Sequence, residues 1–310
     1  MTVERNLCLV GWSYRHWPVR RLFEAAGDYG YPWVELRTCA DVDLCSEACV
    51  RAGLRAAAAC AEATGVRVGV VDFHQFVVTE ADALRRRNPL LFDADILAGL
   101  RDAGAPTVLL MLERVRADGS HALSSDEASE EDFAACREGL EVLGETLEPY
   151  GLRAAVELHA GTIADTLEGA LWTSATLDHA LVGVCLDFAN MLDRAPHANL
   201  VEAVGALRER ILYTHLKNLI VRPWGHDPDL PIEMGSIDYF GVLSALEQHG
   251  YGGLLGVEYV GHGDPDVFAR RDADYLRWLG YRLDAAARWR APDGHGPQSG
   301  STPNAPAGHN

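Results

Sequence analysis

The sequence predicts an α/β protein, a (β/α)8 TIM barrel that forms a single domain. Short apolar segments alternate strictly with longer amphipathic segments, and eight of each are present. Strict alternation implies parallel strands joined by right-handed crossovers, and eight such units close a barrel. No GxGxxG pattern follows the first strand, which disfavours the alternative of an open, doubly wound sheet.

The predicted strands are short, rich in Val, Ile and Leu, and nearly continuous in their apolar character. Strands of a parallel sheet have this pattern because both of their faces are buried. The predicted strands are residues 7–11, 33–36, 66–71, 107–112, 153–158, 182–186, 211–215 and 254–258.

Longer amphipathic segments between these strands predict helices. Ser125 and Ser236 precede acidic residues, a pattern typical of helix N-termini. Glycines such as Gly30 and Gly65 directly follow predicted helix ends, where a left-handed residue is common. The predicted helices are residues 20–29, 46–64, 93–103, 126–147, 163–179, 198–210, 236–249 and 265–288.

The predicted barrel covers residues 1–290 of the 310-residue chain. A barrel of this class commonly uses about 250 residues or more as one domain, so the length does not require a second one. Residues 291–310 consist mainly of Pro, Gly, Ser and Asn, and they contain almost no apolar side chains. We therefore predict that this C-terminal tail is disordered.

Composition and charge disfavour several classes of partner. The chain has 27 Lys and Arg against 45 Asp and Glu, a net charge of −18, which disfavours nucleic-acid binding. No apolar run reaches the ~18–20 residues that span a membrane, and the N-terminus does not resemble a signal peptide. The seven cysteines are typical of reduced thiols, so we expect a cytoplasmic protein. Assembly into a homo-oligomer stays open.

Four consecutive predicted strands end in a carboxylate or an imidazole, namely Glu157, Asp187, His215 and Glu258. TIM-barrel active sites lie at these strand ends. Each residue taken alone has a structural explanation, and Asp187 for instance is a good helix cap. Burying three carboxylates together without a cation is costly, however, and this mixed ligand set suits a divalent metal ion. We predict one such ion, with Mn²⁺ favoured over Mg²⁺, Co²⁺ and Zn²⁺.

Further side chains near the strand ends are candidate substrate contacts. His159 lies two residues after Glu157 and therefore on the same side of the strand, while Lys217 is placed to stabilise a developing oxyanion. His74 ends the third strand and Trp12 follows the first, so both are candidates for the wall of the site. A packing or solvent-exposed role stays open for each of these residues.

The segments VELHAG (156–161), CLDFAN (185–190), THLKN (214–218) and MGSIDYFGVLSALEQHGYGGLLGVEY (234–259) resemble the xylose-isomerase-like superfamily of TIM barrels. That group comprises sugar isomerases and epimerases, inosose dehydratase and endonuclease-IV-like proteins. The resemblance covers essentially the whole predicted barrel, and it is strongest in residues 150–260.

The resemblance implies that Glu157, Asp187, His215 and Glu258 bind one divalent metal ion. It also implies that Glu157 and Glu258 face opposite sides of the substrate as an acid–base pair. Many members have histidine where this chain has Asn190, which we therefore include among the candidate substrate contacts.

The implied activity is that of a sugar isomerase or epimerase acting on a polyol or ketose. A proton next to a carbonyl is removed, and the metal stabilises the resulting enediolate. A lyase is the main alternative, either an inosose or dehydroshikimate-type dehydratase or an enzyme that cleaves carbon glycosides. A non-catalytic sugar-binding barrel is an alternative of another class. The net charge and the few extra histidines disfavour an endonuclease.

Overall fold

Eight parallel strands form a closed barrel, as the sequence predicted. The computed structural model describes residues 3–37, 46–73, 76–78, 81–223 and 225–290, so the predicted tail lies outside the described residues. Each strand pairs with its neighbours in the chain, and the eighth pairs with the first to close the sheet. The strands are β1 (Leu7–Val10), β2 (Trp33–Arg37), β3 (Arg67–Asp72), β4 (Thr107–Leu110), β5 (Arg153–Glu157), β6 (Val182–Asp187), β7 (Ile211–Leu216) and β8 (Leu255–Val257).

A helix follows every strand and packs outside the barrel. Gly30 and Gly65 end the first two helices with φ of 76° and 74°, the left-handed conformation that favours glycine. No helix in the described ranges is long and apolar enough to span a bilayer. The helices are α1 (Val19–Tyr29), α2 (Glu47–Thr64), α3 (Ala94–Asp102), α4 (Glu130–Leu147), α5 (Leu167–Thr173), α6 (Leu200–Leu207), α7 (Tyr239–Gln248) and α8 (Pro265–Arg290).

Two serines that the sequence predicted at helix N-termini, Ser125 and Ser236, do not cap the helices that follow them. Ser129 caps α4, because Asp132 returns a hydrogen bond to its backbone and completes a capping box. The predicted cap Ser125 instead shares a hydrogen bond of 3.0 Å with the hydroxyl of Thr166. Asp238 caps α7 through hydrogen bonds from two backbone N–H groups in the first turn of the helix.

Short additional elements follow the strands at the carboxyl end of the barrel. The predicted strand 107–112 is divided. The barrel strand β4 ends at Leu110, and a separate strand, which belongs to a second, small sheet, begins at Leu112. Loops at this end of a TIM barrel carry the functional residues. The additional elements here include a helix at Phe188–Arg194, a hairpin of Ile220–Arg222 with Gly225–Asp227, and a small sheet of Phe76–Val78, Leu112–Val115 and His121–Ala122.

An apolar layer fills the inside of the barrel. Because successive side chains of a strand point to opposite faces, the residue two positions further along also points inward. The inward residues beyond this layer therefore include Glu157, Asp187 and His215, and the fold directs them to one place. The layer consists of Cys8, Val70, Leu109, Ala155, Cys185 and Tyr213.

Gly256 on β8 makes room for the tyrosine in this layer. A Cβ atom at this position would lie 2.2 Å from the hydroxyl oxygen of Tyr213, which is closer than any normal contact. The tyrosine hydroxyl reaches past β8 and lies 3.6 Å from Sγ of Cys8 on β1. This packing fills the barrel interior below the carboxyl ends of the strands, so the site is bounded on that side by packed side chains.

Candidate metal centre

The structure brings together the four residues that the sequence predicted as metal ligands. Glu157, Asp187, His215 and Glu258 each offer one ligand atom, and these atoms all lie within 4.8 Å of one another. All four side chains are buried. Asp187 lies directly opposite His215 in the pairing of β6 with β7. Three oxygen donors and one nitrogen donor at this separation can share a single divalent cation.

Asp187 has both of the roles that its sequence position suggested. One carboxylate oxygen, Oδ1, accepts a hydrogen bond of 2.9 Å from the backbone N–H of Asn190 and caps the helix Phe188–Arg194. The other oxygen, Oδ2, is buried and accepts no hydrogen bond of normal geometry from the described residues, although Nζ of Lys217 lies 2.8 Å away. A buried oxygen without a well-aligned donor is costly, and a metal ion at this position would satisfy it.

Glu35 orients the imidazole of His215. Its Oε2 lies 2.8 Å from Nε2 of the histidine, and only 2% of Glu35 is exposed. The other ring nitrogen, Nδ1, lies 3.3 Å, 3.6 Å and 3.7 Å from oxygens of Glu157, Asp187 and Glu258. A carboxylate on the far nitrogen is a common support for a ligand histidine. Nδ1 is therefore the atom that is placed to bind a metal.

Lys217 is a buried cation beside the candidate ligands. Its Nζ lies 2.7 Å from Oε2 of Glu258 and 2.8 Å from Oδ2 of Asp187. Burial lowers the pKa of Lys217, but these two carboxylates outweigh it and hold the pKa well above its usual value. The lysine is consequently charged at neutral pH.

Two carboxylates of the site, those of Glu157 and Asp187, are anionic. Burial raises the pKa of Glu157, but the charges of His215 and Lys217 lower it below its usual value. The pKa of Asp187 is lowered in the same way, by Lys217 above all. Burial lowers the pKa of His215, whereas the surrounding negative charges raise it. The negative charge of the cluster is what a divalent cation requires, so the residues fit such an ion.

A cavity of about 190 Å³ opens onto three of the candidate ligands, Glu157, His215 and Glu258. Three of the predicted substrate contacts, Trp12, His159 and Lys217, line this cavity. Asn190 instead donates a hydrogen bond of 3.1 Å to Oε1 of Glu157, so it contacts a candidate ligand directly. The predicted contact His74 lies outside the described residues. The roles of these residues toward a substrate stay predictions.

Several polar residues of the cavity were not predicted. Glu35 and Arg37 lie on β2, and Asp72 ends β3, where Nη1 of Arg37 lies 2.7 Å from its Oδ2. The criterion that identified the candidate ligands, a polar residue at a strand end, also marks Arg37 and Asp72, whereas Glu35 lies inside its strand. Arg15 also lines the cavity. It lies in a turn rather than at a strand end, and no sequence pattern marked it.

Comparisons with known proteins agree with this architecture. A family model described as a xylose isomerase-like TIM barrel matches residues 23–279. The sequence matches none of the curated proteins with which it was compared.

Solved structures of three proteins illustrate the likeness in fold. The probable 3-DHS dehydratase AsbF from Bacillus anthracis, involved in petrobactin synthesis, has a TM-score of 0.68 and 15% identity, over 87% of this chain and 98% of its own. The IolI protein with a bound zinc atom has a TM-score of 0.68 and 17% identity, and the match covers 91% of this chain and 98% of the IolI chain. The 3-keto-D-glucoside 4-epimerase YcjR from E. coli has a TM-score of 0.63 and 18% identity, over 88% and 98%.

Proposed function

The chain belongs to the xylose isomerase-like TIM barrel family, and we propose that it is a divalent-metal-dependent sugar isomerase or epimerase. Its substrate would be a polyol or ketose, from which the enzyme removes a proton next to a carbonyl group. The observation that carries this proposal is the meeting of Glu157, Asp187, His215 and Glu258 around one point. A structural cluster would not require three buried carboxylates at the ends of neighbouring strands.

The four residues would hold the ion mainly through Oδ2 of Asp187, Nδ1 of His215 and the carboxylates of Glu157 and Glu258. When bound, the ion supplies a Lewis acid for a carbonyl oxygen and the neighbouring hydroxyl oxygen of the substrate. We propose Mn²⁺ as the native ion, because oxygen ligands predominate in this set. Zn²⁺ is the first alternative, since the IolI structure holds zinc.

Glu157 and Glu258 would move the proton. Oε1 of Glu157 is held by Asn190, and Oε2 of Glu258 is held by Lys217, so each carboxylate has a fixed orientation. One carboxylate accepts the proton from the carbon next to the carbonyl group, and the other returns a proton. Return to the opposite face of the same carbon yields an epimer. Return to the adjacent carbon, with transfer of the hydroxyl proton to the former carbonyl oxygen, yields an aldose–ketose isomer.

Other cavity residues would bind the substrate around this step. The charged Nζ of Lys217 lies where it can stabilise negative charge that develops on a substrate oxygen. His159 is half-buried at the cavity wall and offers a ring nitrogen to a hydroxyl group. Trp12 presents an aromatic ring, which suits the apolar face of a sugar.

A lyase is a second candidate, because the fold is similar to that of the probable dehydratase AsbF. The first step would be the same proton abstraction by a carboxylate. Loss of the hydroxyl group on the next carbon, together with a proton, would then release water. The two candidates differ in their products and share their catalytic residues.

Hydrogen exchange with solvent tests both candidates through their common step. Mn²⁺-loaded protein would be incubated in D₂O with a panel of ketoses, inososes and dehydroshikimate. Proton NMR would follow the replacement of hydrogen by deuterium next to the carbonyl group, and the product would distinguish isomerase, epimerase and lyase. We expect exchange with at least one compound, and a loss of about 10²–10⁴-fold in Glu157→Gln and Glu258→Gln.

Glu209→Gln is the matched control, because this glutamate is 81% exposed and lies before β7, at the opposite end of the barrel. It should exchange at the wild-type rate. Absence of exchange across the whole panel in protein that holds its metal would contradict the proposal. That result would favour a non-catalytic sugar-binding barrel.

A further inference from the structure

Arg15 brings a guanidinium group into the cavity of the candidate metal centre. It follows the 3₁₀ turn Gly11–Tyr14, which continues directly from β1, and its backbone N–H donates to the carbonyl oxygen of Trp12. The turn therefore fixes the position of the Arg15 backbone, from which the side chain extends. Arg15 lines the same cavity as His215 and Glu258.

The other two cationic side chains of this cavity have carboxylate partners. Nη1 of Arg37 lies 2.7 Å from Oδ2 of Asp72. Nζ of Lys217 lies 2.7 Å from Oε2 of Glu258 and also contacts Asp187. Arg37 and Lys217 are therefore neutralised by the protein itself.

Arg15 differs, because it forms no ion pair within the part of the chain that the structure describes. Its polar contact runs from Nη1 to the carbonyl oxygen of Trp12, at 2.9 Å. A guanidinium group has five N–H donors, so most of its donors are left for another group. Burial and the nearby charge of Arg37 lower the pKa of Arg15.

The side chain of Arg15 is also held in place. Its guanidinium carbon lies 4.2 Å from the centre of the Trp12 ring, and that of Arg37 lies 4.6 Å from the same ring. Such cation–π contacts restrain a long side chain without using its hydrogen-bond donors. A planar, restrained guanidinium group is suited to bidentate recognition of a carboxylate or a phosphate.

We infer that Arg15 binds an anionic group of the substrate, so that the enzyme acts on an acidic hydroxyketone: a sugar-acid ketone or a phosphorylated ketose. This inference rests on the proposed function, because it takes the cavity to be the substrate site. It deepens that function by naming the charge of the substrate. Arg15 determines specificity in this scheme, and the carboxylates of the metal centre still carry out the proton transfer.

Binding of simple anions tests the inference without turnover. Calorimetric titrations at low ionic strength would measure the dissociation constants of acetate and inorganic phosphate for Mn²⁺-loaded and metal-free protein. Arg15→Gln should weaken at least one anion about ten-fold or more in both forms. Arg15→Lys should retain part of the affinity, since it keeps the charge and loses the planar fork. A loss for phosphate alone indicates a phosphorylated substrate, and a loss for acetate alone indicates a carboxylate.

Arg20→Gln is the matched control, because Arg20 is 78% exposed on α1 and pairs with Glu24. It should bind both anions like wild type. Equal binding of both anions to wild type and Arg15→Gln, or binding of neither anion to wild type, would overturn the inference. Mn²⁺ affinity is measured separately on the same variants. If wild type binds metal and exchanges hydrogen but Arg15→Gln shows no anion effect, only the role of Arg15 is refuted. If metal-loaded wild type shows no exchange, the proposed function itself is refuted.

Discussion

Asp272 lies buried on α8, where it anchors the loop that follows β7. Only 1% of the residue is exposed, and its Oδ1 accepts a hydrogen bond of 2.8 Å from the backbone N–H of Ile232. Burial, together with the negative charge of Glu233, raises its pKa from 3.8 to about 7. The folded protein therefore holds this proton more tightly than the unfolded chain does.

The sign and size of the resulting pH dependence follow from this shift. The carboxyl group of Asp272 contributes stability that is fully present below about pH 4 and is lost as the pH rises through about 7. The full shift corresponds to about 4 kcal/mol. Between pH 5.5 and pH 8, both above the sequence pI of about 5.0, the free energy of unfolding should fall by about 2 kcal/mol through this group alone.

Asp272→Asn removes the titration and keeps an oxygen acceptor for the N–H of Ile232. Any other effect of the substitution on the free energy of unfolding is the same at both pH values. Because the variant lacks the titration, its free energy of unfolding should rise by about 2 kcal/mol relative to that of wild type between pH 5.5 and pH 8. Urea denaturation followed by circular dichroism at the two pH values measures this difference. Asp274→Asn, an exposed position on the same helix, controls for the lost charge. Identical pH dependence in the two variants would refute the reasoning.

Three further substitutions test the site and the barrel. Glu35→Gln should weaken Mn²⁺ binding about 10–100-fold, because it alters the support of the ligand histidine; calorimetric titration measures this. Lys217→Met should destabilise metal-free protein by about 3–5 kcal/mol, since it leaves buried carboxylates unpaired, and added Mn²⁺ should restore part of the loss in urea denaturation. Gly183→Ala should lower the free energy of unfolding by about 1–3 kcal/mol in the same assay, because its Cβ would lie 2.3 Å from the carbonyl oxygen of Arg210. Gly252→Ala is the control and should change it little, because a Cβ there would meet open space.

The barrel and the four candidate ligands were predictable because both depend on local patterns. Continuous apolar runs mark buried parallel strands, and the candidate ligands Glu157, Asp187, His215 and Glu258 lie at their ends. In a parallel barrel all such ends meet at one rim, so the fold class by itself brings these residues together.

The supporting contacts were not predictable in this way. Glu35 and His215 are 180 positions apart in the chain and meet across the barrel. A single acid inside an apolar strand gives no indication of its partner. The helix Phe188–Arg194 is only seven residues long, too short for a clear periodicity, and Asp187 begins it while also facing the site. Arg15 depends on the geometry of a turn, which no apolar pattern encodes.

Metal binding by the purified protein tests the central claim most directly. Metal-stripped protein would be incubated separately with Mn²⁺, Mg²⁺, Co²⁺ and Zn²⁺, and the bound metal would be quantified after gel filtration for wild type, Glu258→Gln and Glu209→Gln. The account predicts about one divalent ion per chain in wild type and Glu209→Gln, and a clearly weakened or lost ion in Glu258→Gln. Wild-type protein that retains none of the four ions, or an unchanged affinity in Glu258→Gln, would contradict it.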